Sequence, residues 1–277
     1  MKIAALQMVS TTRVEANLDT ARRLIAEAAR SGAALVALPE YFCLMGRSDR
    51  DKLAVAEASG DGPIQRMLSQ AAREHEVWLI GGTLPIGTDD PDRVLNANCV
   101  YAPDGSLAAR YDKIHLFKYD NGRERYDEGA AIRAGTAPTT VQVTALQGPS
   151  AIATSLRVGL SVCYDLRFPE LYRELMHPPC DLISVPAAFT YTTGLAHWEL
   201  LLRARAVENQ CYVIAAAQGG THENGRRTFG HSMVVDPWGV VLAVCPEGEG
   251  VVLAELDPAR IAAVRQQLPA LEHRRAR

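Results

Sequence analysis

The chain contains no run of about 18 apolar residues, the length a helix needs to cross a bilayer. It carries no large excess of either charge, because 29 Lys plus Arg stand against 32 Asp plus Glu for a formal net charge of −3 at pH 7. That balance excludes the basic field on which non-specific polyanion binding depends. No CxxC pair occurs among the six cysteines, Cys43, Cys99, Cys163, Cys180, Cys211 and Cys245, and their wide spacing excludes a dense disulfide framework. Reduced thiols and a cytoplasmic location are expected. The phosphate loop GxxxxGK[ST] and the metalloprotease motif HExxH are missing, and Gly60-Asp61-Gly62 lacks the third glycine and preceding strand of a dinucleotide loop. The histidines are scattered, with His222 and His231 far from any cysteine pair, so a bound metal is not expected. The apolar stretch 3–9 is too short for a secretory signal, which predicts that the N-terminus is kept.

What is present is the composition of a globular enzyme, 48% hydrophobic and 22% charged over 277 residues. A chain near this length buries roughly 75% of its unfolded surface in one core. A single domain spanning 1–277 is expected, with a solvated basic tail from about residue 270. Short β-rich apolar runs at 3–8, 34–38, 77–81, 98–101, 157–163, 182–186, 212–216, 232–235, 240–244 and 251–255 read as strands. Helical spacing of apolar residues marks 17–30, 63–75, 168–176, 197–210 and 258–268. Strands interleaved with helices predict an α/β protein with its helices outside. Hairpin signals at Ala102-Pro103-Asp104-Gly105 and Asp236-Pro237-Trp238-Gly239 make part of the sheet antiparallel, which disfavours a purely doubly wound fold. The polar stretches 88–93 and 119–133 are too short to separate domains.

Three sites combine chemistry with the end of a strand. In the run from Val158 to Glu170 an apolar strand leads into a polar turn and a helix opened by Pro169, placing Cys163 at the carboxyl end, where α/β proteins put ligand sites. Backbone N–H groups at a helix start favour a thiolate and can hold an oxyanion. Glu40 follows another buried strand, whose pairing Pro39 ends. Lys113 stands alone in an apolar stretch after the Asp104-Gly105 hairpin. Glu40, Lys113 and Cys163 supply a base, a cation and a nucleophile.

The segments LPEYFCLMG around Glu40, YDKIHLF around Lys113 and VCYDLRFPEL around Cys163 resemble the three catalytic motifs of the nitrilase superfamily of carbon–nitrogen hydrolases. Similarity runs through the rest of the chain to LPALEHRR, and within the superfamily it is greatest to the deaminated-glutathione amidases, with the ω-amidases of 2-oxoglutaramate as relatives. The resemblance implies a four-layer αββα sandwich, usually paired as a homodimer, or a higher homo-oligomer, that continues the layers. It implies no cofactor, no nucleic-acid or membrane partner, and a small-molecule amide as substrate.

The implied activity is amide hydrolysis through a thioester, the amide of deaminated glutathione being converted to a carboxylate and ammonia. Glu40 acts as general base towards Cys163, while Lys113 and the Tyr164 N–H stabilise the oxyanion. Glu128 orients Lys113, by its spacing of seven residues before Gly135; Glu124 and Asp127 are alternatives. Ala187, Ala188 and Phe189 fall at the family's substrate contact. Arg167 either holds a substrate carboxylate or pairs internally with Asp165 or Glu170. His222, Arg226 and Arg227 in the 222–228 loop are solvated or reach an anionic substrate, and Cys43 packs. Competing readings are an ω-amidase, a nitrilase, and, from another class, a non-catalytic scaffold or a thiol redox sensor; a papain-like protease is disfavoured by the missing motif context.

Overall fold

The computed structural model describes residues 1–122, 124–147 and 152–275. Residues 276 and 277 of the expected basic tail, and Arg123 in the polar stretch, lie outside the described residues. Seven strands form one sheet, six form a second, and two short hairpins stand apart. The first sheet contains β1 (Lys2–Gln7), β2 (Leu35–Ala37), β3 (Trp78–Ile80), β4 (Leu84–Gly87), β5 (Val94–Tyr101), β6 (Leu107–Asp112) and, from the end of the chain, β17 (Gly250–Glu255). The hairpin β7 (Lys118–Asp120) and β8 (Arg125–Asp127) precedes the second sheet. That sheet is built from β9 (Thr139–Gln147), β10 (Ile152–Leu160), β11 (Leu182–Ser184), β12 (Tyr212–Ala215), β15 (Ser232–Val235) and β16 (Val241–Cys245). The hairpin β13 (Gly219–Thr221) and β14 (Arg227–Phe229) interrupts it between β12 and β15.

The two sheets share one plan. Each has three parallel strands at its centre, β1-β2-β3 and β10-β11-β12, flanked by antiparallel neighbours. Both hairpin signals are realised: residues 102–105 turn β5 into β6, and Asp236 to Gly239 turn β15 into β16. These antiparallel margins are why a doubly wound sheet is not the answer.

Alternation along the strands stacks the layers, since successive side chains point to opposite faces. Ile3, Ala5 and Ala37 join the core that holds Val158, Val213, Ala215 and Val234 of the second sheet. Their neighbours Ala4, Leu6 and Val36 pack instead under α1 (Val14–Arg30) and α3 (Pro63–Glu74). On the far side, α4 (Pro169–Glu174) and α5 (Tyr191–Asn209) cover the second sheet through Tyr172, Trp198, Leu202 and Ala206. The result is the expected helix–sheet–sheet–helix sandwich. A one-turn α2 (Asp51–Ala54) and a terminal α6 (Pro258–Gln267) complete the helices. Helix α3 starts at Pro63, with the Glu57 carboxylate accepting the amides of Ile64 and Gln65 at 2.5 and 3.0 Å, and α6 starts at Pro258 with Asp257 capping Ala259 at 2.9 Å. No described helix is long and apolar enough to cross a membrane.

Several boundaries differ from the periodicity: α1 begins at Val14 and not at 17, β5 at Val94 and not at 98, and β10 at Ile152 and not at 157. Helix α5 begins at Tyr191, six residues ahead of the expected 197. Its first turn, Tyr191-Thr192-Thr193-Gly194, has poor helix propensity, and the close seat of Gly194 on Phe229 overrides it. Strand β10 stops at Leu160 and not at 163. There the Asp165 carboxylate accepts the Val162 amide at 2.8 Å and draws the chain out of the ladder.

Candidate active site

Glu40 and Cys163 emerge beyond the carboxyl ends of β2 and β10, the central parallel strands of opposite sheets. Lys113 follows β6 directly. The crossing point is packed tightly. A side chain at Gly82, whose φ is +62°, would meet the Pro39 carbonyl oxygen at 2.2 Å, so only glycine lets that segment lie against the turn before Glu40. A side chain at Gly135 would meet the Asp112 carbonyl oxygen at 2.0 Å. The spacing from Glu128 to Gly135 thus clamps the Glu128 turn against the strand end that carries Lys113.

Lys113 is fully buried and joins two carboxylates. Its Nζ lies 2.8 Å from Glu40 Oε1 and 2.9 and 2.8 Å from Glu128 Oε1 and Oε2. Every carboxylate oxygen has a further donor: Asn96 Nδ2 on Glu40 Oε1 at 2.9 Å, the Ala188 amide on Glu40 Oε2 at 3.0 Å, the Tyr41 hydroxyl on Glu128 Oε1 at 2.6 Å, and the Phe117 amide on Glu128 Oε2 at 2.7 Å. Burial works against ionising Glu128, but the Lys113 ammonium outweighs it and holds the carboxyl below its ordinary value. Burial likewise opposes the Lys113 charge, and Glu128 with Glu40 overcomes it, so the ammonium titrates well above the lysine range. One cation between two carboxylates leaves one negative charge over, next to Cys163.

Cys163 opens a 3₁₀ turn, Cys163–Arg167, and sits at φ +49°, a left-handed conformation that costs a non-glycine residue about 1–2 kcal/mol. Its amide is anchored to the Pro186 carbonyl at 2.9 Å. The expectation of a thiol biased towards thiolate by a helix start does not hold here. Burial, reinforced by the Glu40 carboxylate, pushes the Cys163 thiol well above its usual range despite Lys113 nearby. At neutral pH the site therefore holds a neutral thiol beside a carboxylate able to accept its proton.

Tyr164, Arg167, Ala188 and Phe189 line a slot with Cys163, together with Phe117, Thr190 and Thr193. Arg167 makes neither of the internal ion pairs considered for it. It lies over the Tyr164 and Phe189 rings, at 5.8 and 5.2 Å, and contacts His197 Nδ1 at 3.2 Å. Asp165 is fully buried and serves a different purpose, accepting the Tyr111 hydroxyl at 2.7 Å, the Val162 amide at 2.8 Å, and the His115 amide and Nδ1 at 3.0 and 2.7 Å. One carboxylate thereby ties the Cys163 turn to the loop that carries Lys113.

The remaining candidates separate. Asp127 pairs with Lys118 at the surface and Glu124 reaches Thr192 and Tyr126, so of the three candidate acids Glu128 is the one on Lys113. His222 is a structural residue, with its ring between the Ser10 carbonyl at 2.9 Å and the Thr228 hydroxyl at 2.8 Å. Arg227 stacks on Tyr191 and pairs with Glu247. Buried Cys43 packs, its thiol pushed up to about 12 by desolvation. Asn96, Tyr41 and Asp165 were not visible as site residues in the sequence, although Tyr41 and Asp165 lie inside the quoted motif segments; Asn96 lies on β5, outside all three segments.

A two-sheet sandwich with a buried Glu–Lys–Glu cluster against a cysteine is the arrangement of a hydrolase of carbon–nitrogen bonds. The sequence profile of the carbon–nitrogen hydrolases matches residues 2–266. The chain is 42% identical to a deaminated glutathione amidase of Synechocystis over 273 residues, covering 98% of this chain and 97% of that one. It superposes on the NitFhit protein of Caenorhabditis elegans with a TM-score of 0.86 at 39% identity, covering 99% of this chain and 65% of that one. Nit3 of Saccharomyces cerevisiae, a member of branch 10 of the nitrilase superfamily, superposes at 0.84 with 31% identity over 97% and 94% of the two chains. This chain belongs to the carbon–nitrogen hydrolase family.

Proposed function

We propose that the chain is a cysteine amidase acting on deaminated glutathione, with Glu40, Lys113, Cys163 and Glu128 as its catalytic set. The observation that carries this reading is the buried Lys113 ammonium within 2.9 Å of both Glu40 and Glu128, with Glu40 beside Cys163. Glu40 takes the thiol proton as sulfur attacks the amide carbon, forming the C–S bond. The carbonyl electrons move onto oxygen, which Lys113 Nζ and the Tyr164 N–H stabilise. Protonation neutralises Glu40 and loosens its hold on Lys113 as the oxyanion appears, so the ammonium is released towards charge that exists only in the transition state. Glu40 then gives its proton to the nitrogen, the C–N bond breaks and the amine departs. Water, deprotonated by Glu40, attacks the thioester and restores the thiol. Every step uses a side chain of this protein.

The leaving group departs from the expectation of ammonia. Glutathione is a γ-glutamyl tripeptide, so its deaminated form carries a secondary amide, and cleavage there releases cysteinylglycine; ammonia leaves only from a primary amide such as 2-oxoglutaramate. Arg167, free of carboxylate partners among the described residues, holds the 2-oxo acid end in the slot with Phe189 as its wall. We also read the two sheets with their shared core as one domain, and the exposed Leu195 and Leu200 on α5 as part of a homodimer contact.

The test supplies purified protein with deaminated glutathione and with 2-oxoglutaramate, following cysteinylglycine, ammonia and the shared 2-oxo acid, with Cys163→Ala as blank. Higher kcat/KM on the tripeptide supports the proposal. Preference for the primary amide makes the protein an ω-amidase, and turnover that survives in Cys163→Ala overturns the thioester route.

A further inference from the structure

Across Phe117 from the Cys163 slot lies a second cleft of about 290 Å³, lined among others by Tyr41, Arg47, Lys52, Arg125, Tyr126 and Arg226. Four of these residues are cationic, and the lining includes one carboxylate, Asp49, which pairs with Lys52 at 3.2 Å. Arg47 reaches Glu223 only at 3.9 Å and Arg125 reaches Asp120 only at 4.0 Å, both at the surface. Arg226 has no carboxylate within ion-pair distance among the described residues; its guanidinium lies 4.7 Å over the Tyr126 ring, whose hydroxyl meets Glu124 at 3.5 Å. A concave surface with surplus positive charge and a fork-shaped donor half-sheltered on an aromatic face is suited to a carboxylate.

The cleft is wired to the chemistry. Tyr41 bonds Glu128 through its hydroxyl at 2.6 Å and carries Lys52 Nζ 4.5 Å over its ring. Phe117 belongs to the wall of the Cys163 slot and lies 5.7 Å from the Tyr126 ring and 5.2 Å from the Tyr164 ring. An aromatic row thus runs Tyr126–Phe117–Tyr164, with Arg226 at one end and Arg167 at the other. Two such guanidinium groups, one in the Cys163 slot and one in the neighbouring cleft, match a linear amide that is charged at both ends.

We propose that this cleft is a leaving-group subsite in which Arg226, supported by Arg47 and Arg125, takes the terminal carboxylate of a peptide amine while the amide carbon sits at Cys163. The proposal rests on the amidase reading above. A primary amide has no leaving-group carboxylate and gains nothing from the cleft, so the subsite sets substrate length and not reaction type.

The experiment compares wild type, Arg226→Ala and Arg226→Lys on deaminated glutathione, on the same compound with its terminal carboxylate replaced by a carboxamide, and on 2-oxoglutaramate. Arg226→Ala is expected to raise KM for the tripeptide by about 10- to 100-fold, the loss of one charge-assisted pair, and Arg226→Lys by less. The wild type should show the same penalty on the carboxamide, with no further penalty when the two changes are combined. A KM change of equal size on 2-oxoglutaramate, or additive penalties, overturns the subsite. Calorimetric titration of Cys163→Ala with the carboxylate and carboxamide forms reads the subsite without turnover. Equal affinities for the two forms would refute it even if the amidase reading stands, and a preference for the carboxylate would uphold it even if turnover proves to favour another amide.

Discussion

Lys113 neutralises more than its own charge, and its replacement is the most informative single change in the molecule. Lys113→Met removes the cation between carboxylates that are 1% and 8% exposed, leaving buried charge uncompensated. A loss of about 3–5 kcal/mol in urea unfolding is expected, with turnover reduced to the Cys163→Ala background. The same pair sets the pH limits of stability. Glu128 is held below its ordinary 4.5, so its contribution is complete above that pH and disappears as pH falls through its folded value. Lys113 is held above its ordinary 10.5, so its contribution is complete below that pH and disappears as pH rises through its folded value. Unfolding free energies measured across both flanks should show two slopes in the wild type that both flatten in Lys113→Met. Tyr41→Phe deletes one donor to Glu128 and leaves the ring under Lys52. It should cost about 1.5–3 kcal/mol, measured in the same titration.

Asp165 is the buried polar joint between the Cys163 turn and the Lys113 loop, which otherwise meet through the ring contacts His115–Phe168 and Phe117–Tyr164. Asp165→Ala leaves the Tyr111 hydroxyl and the Val162 amide, both buried, without an acceptor. The expected outcome is a melting temperature lower by about 5–10 °C and a kcat falling more than KM rises, because Cys163 and Lys113, the proposed nucleophile and oxyanion cation, lose a common anchor. A thermal scan beside steady-state kinetics checks both. Glu40, Lys113 and Cys163 were legible in the sequence because each stands at a break between an apolar run and a turn. Asp165 was legible only as an acid near Arg167, since its bonds come from segments some fifty residues away. The alternation in β9, Thr139–Gln147, went unread, and the margins of β10 and α5 were displaced, because a carboxylate and a glycine contact decide them locally. The hairpins, by contrast, were fully specified by turn residues at fixed offsets.

The two sheets divide the chemistry between them. If α5 closes a homodimer, light scattering should return twice the 30.1 kDa chain mass, and Leu195→Glu with Leu200→Glu should halve it. Within one chain, Glu40 and Lys113 extend from the seven-stranded sheet, Cys163 and the Ala188 amide from the six-stranded one. Neither half contains a working set. While the chain is incomplete or the sheets are apart, Cys163 lacks the base and the oxyanion cation proposed for it, and Glu40 and Lys113 are ordinary solvated charges. On the proposed roles, hydrolytic power comes into existence only when the sandwich shuts, so an unfinished chain lacks the means to cleave the amides around it. Specific activity in this protein is accordingly a count of closed molecules, and a denaturant that parts the sheets should extinguish turnover in step with their separation.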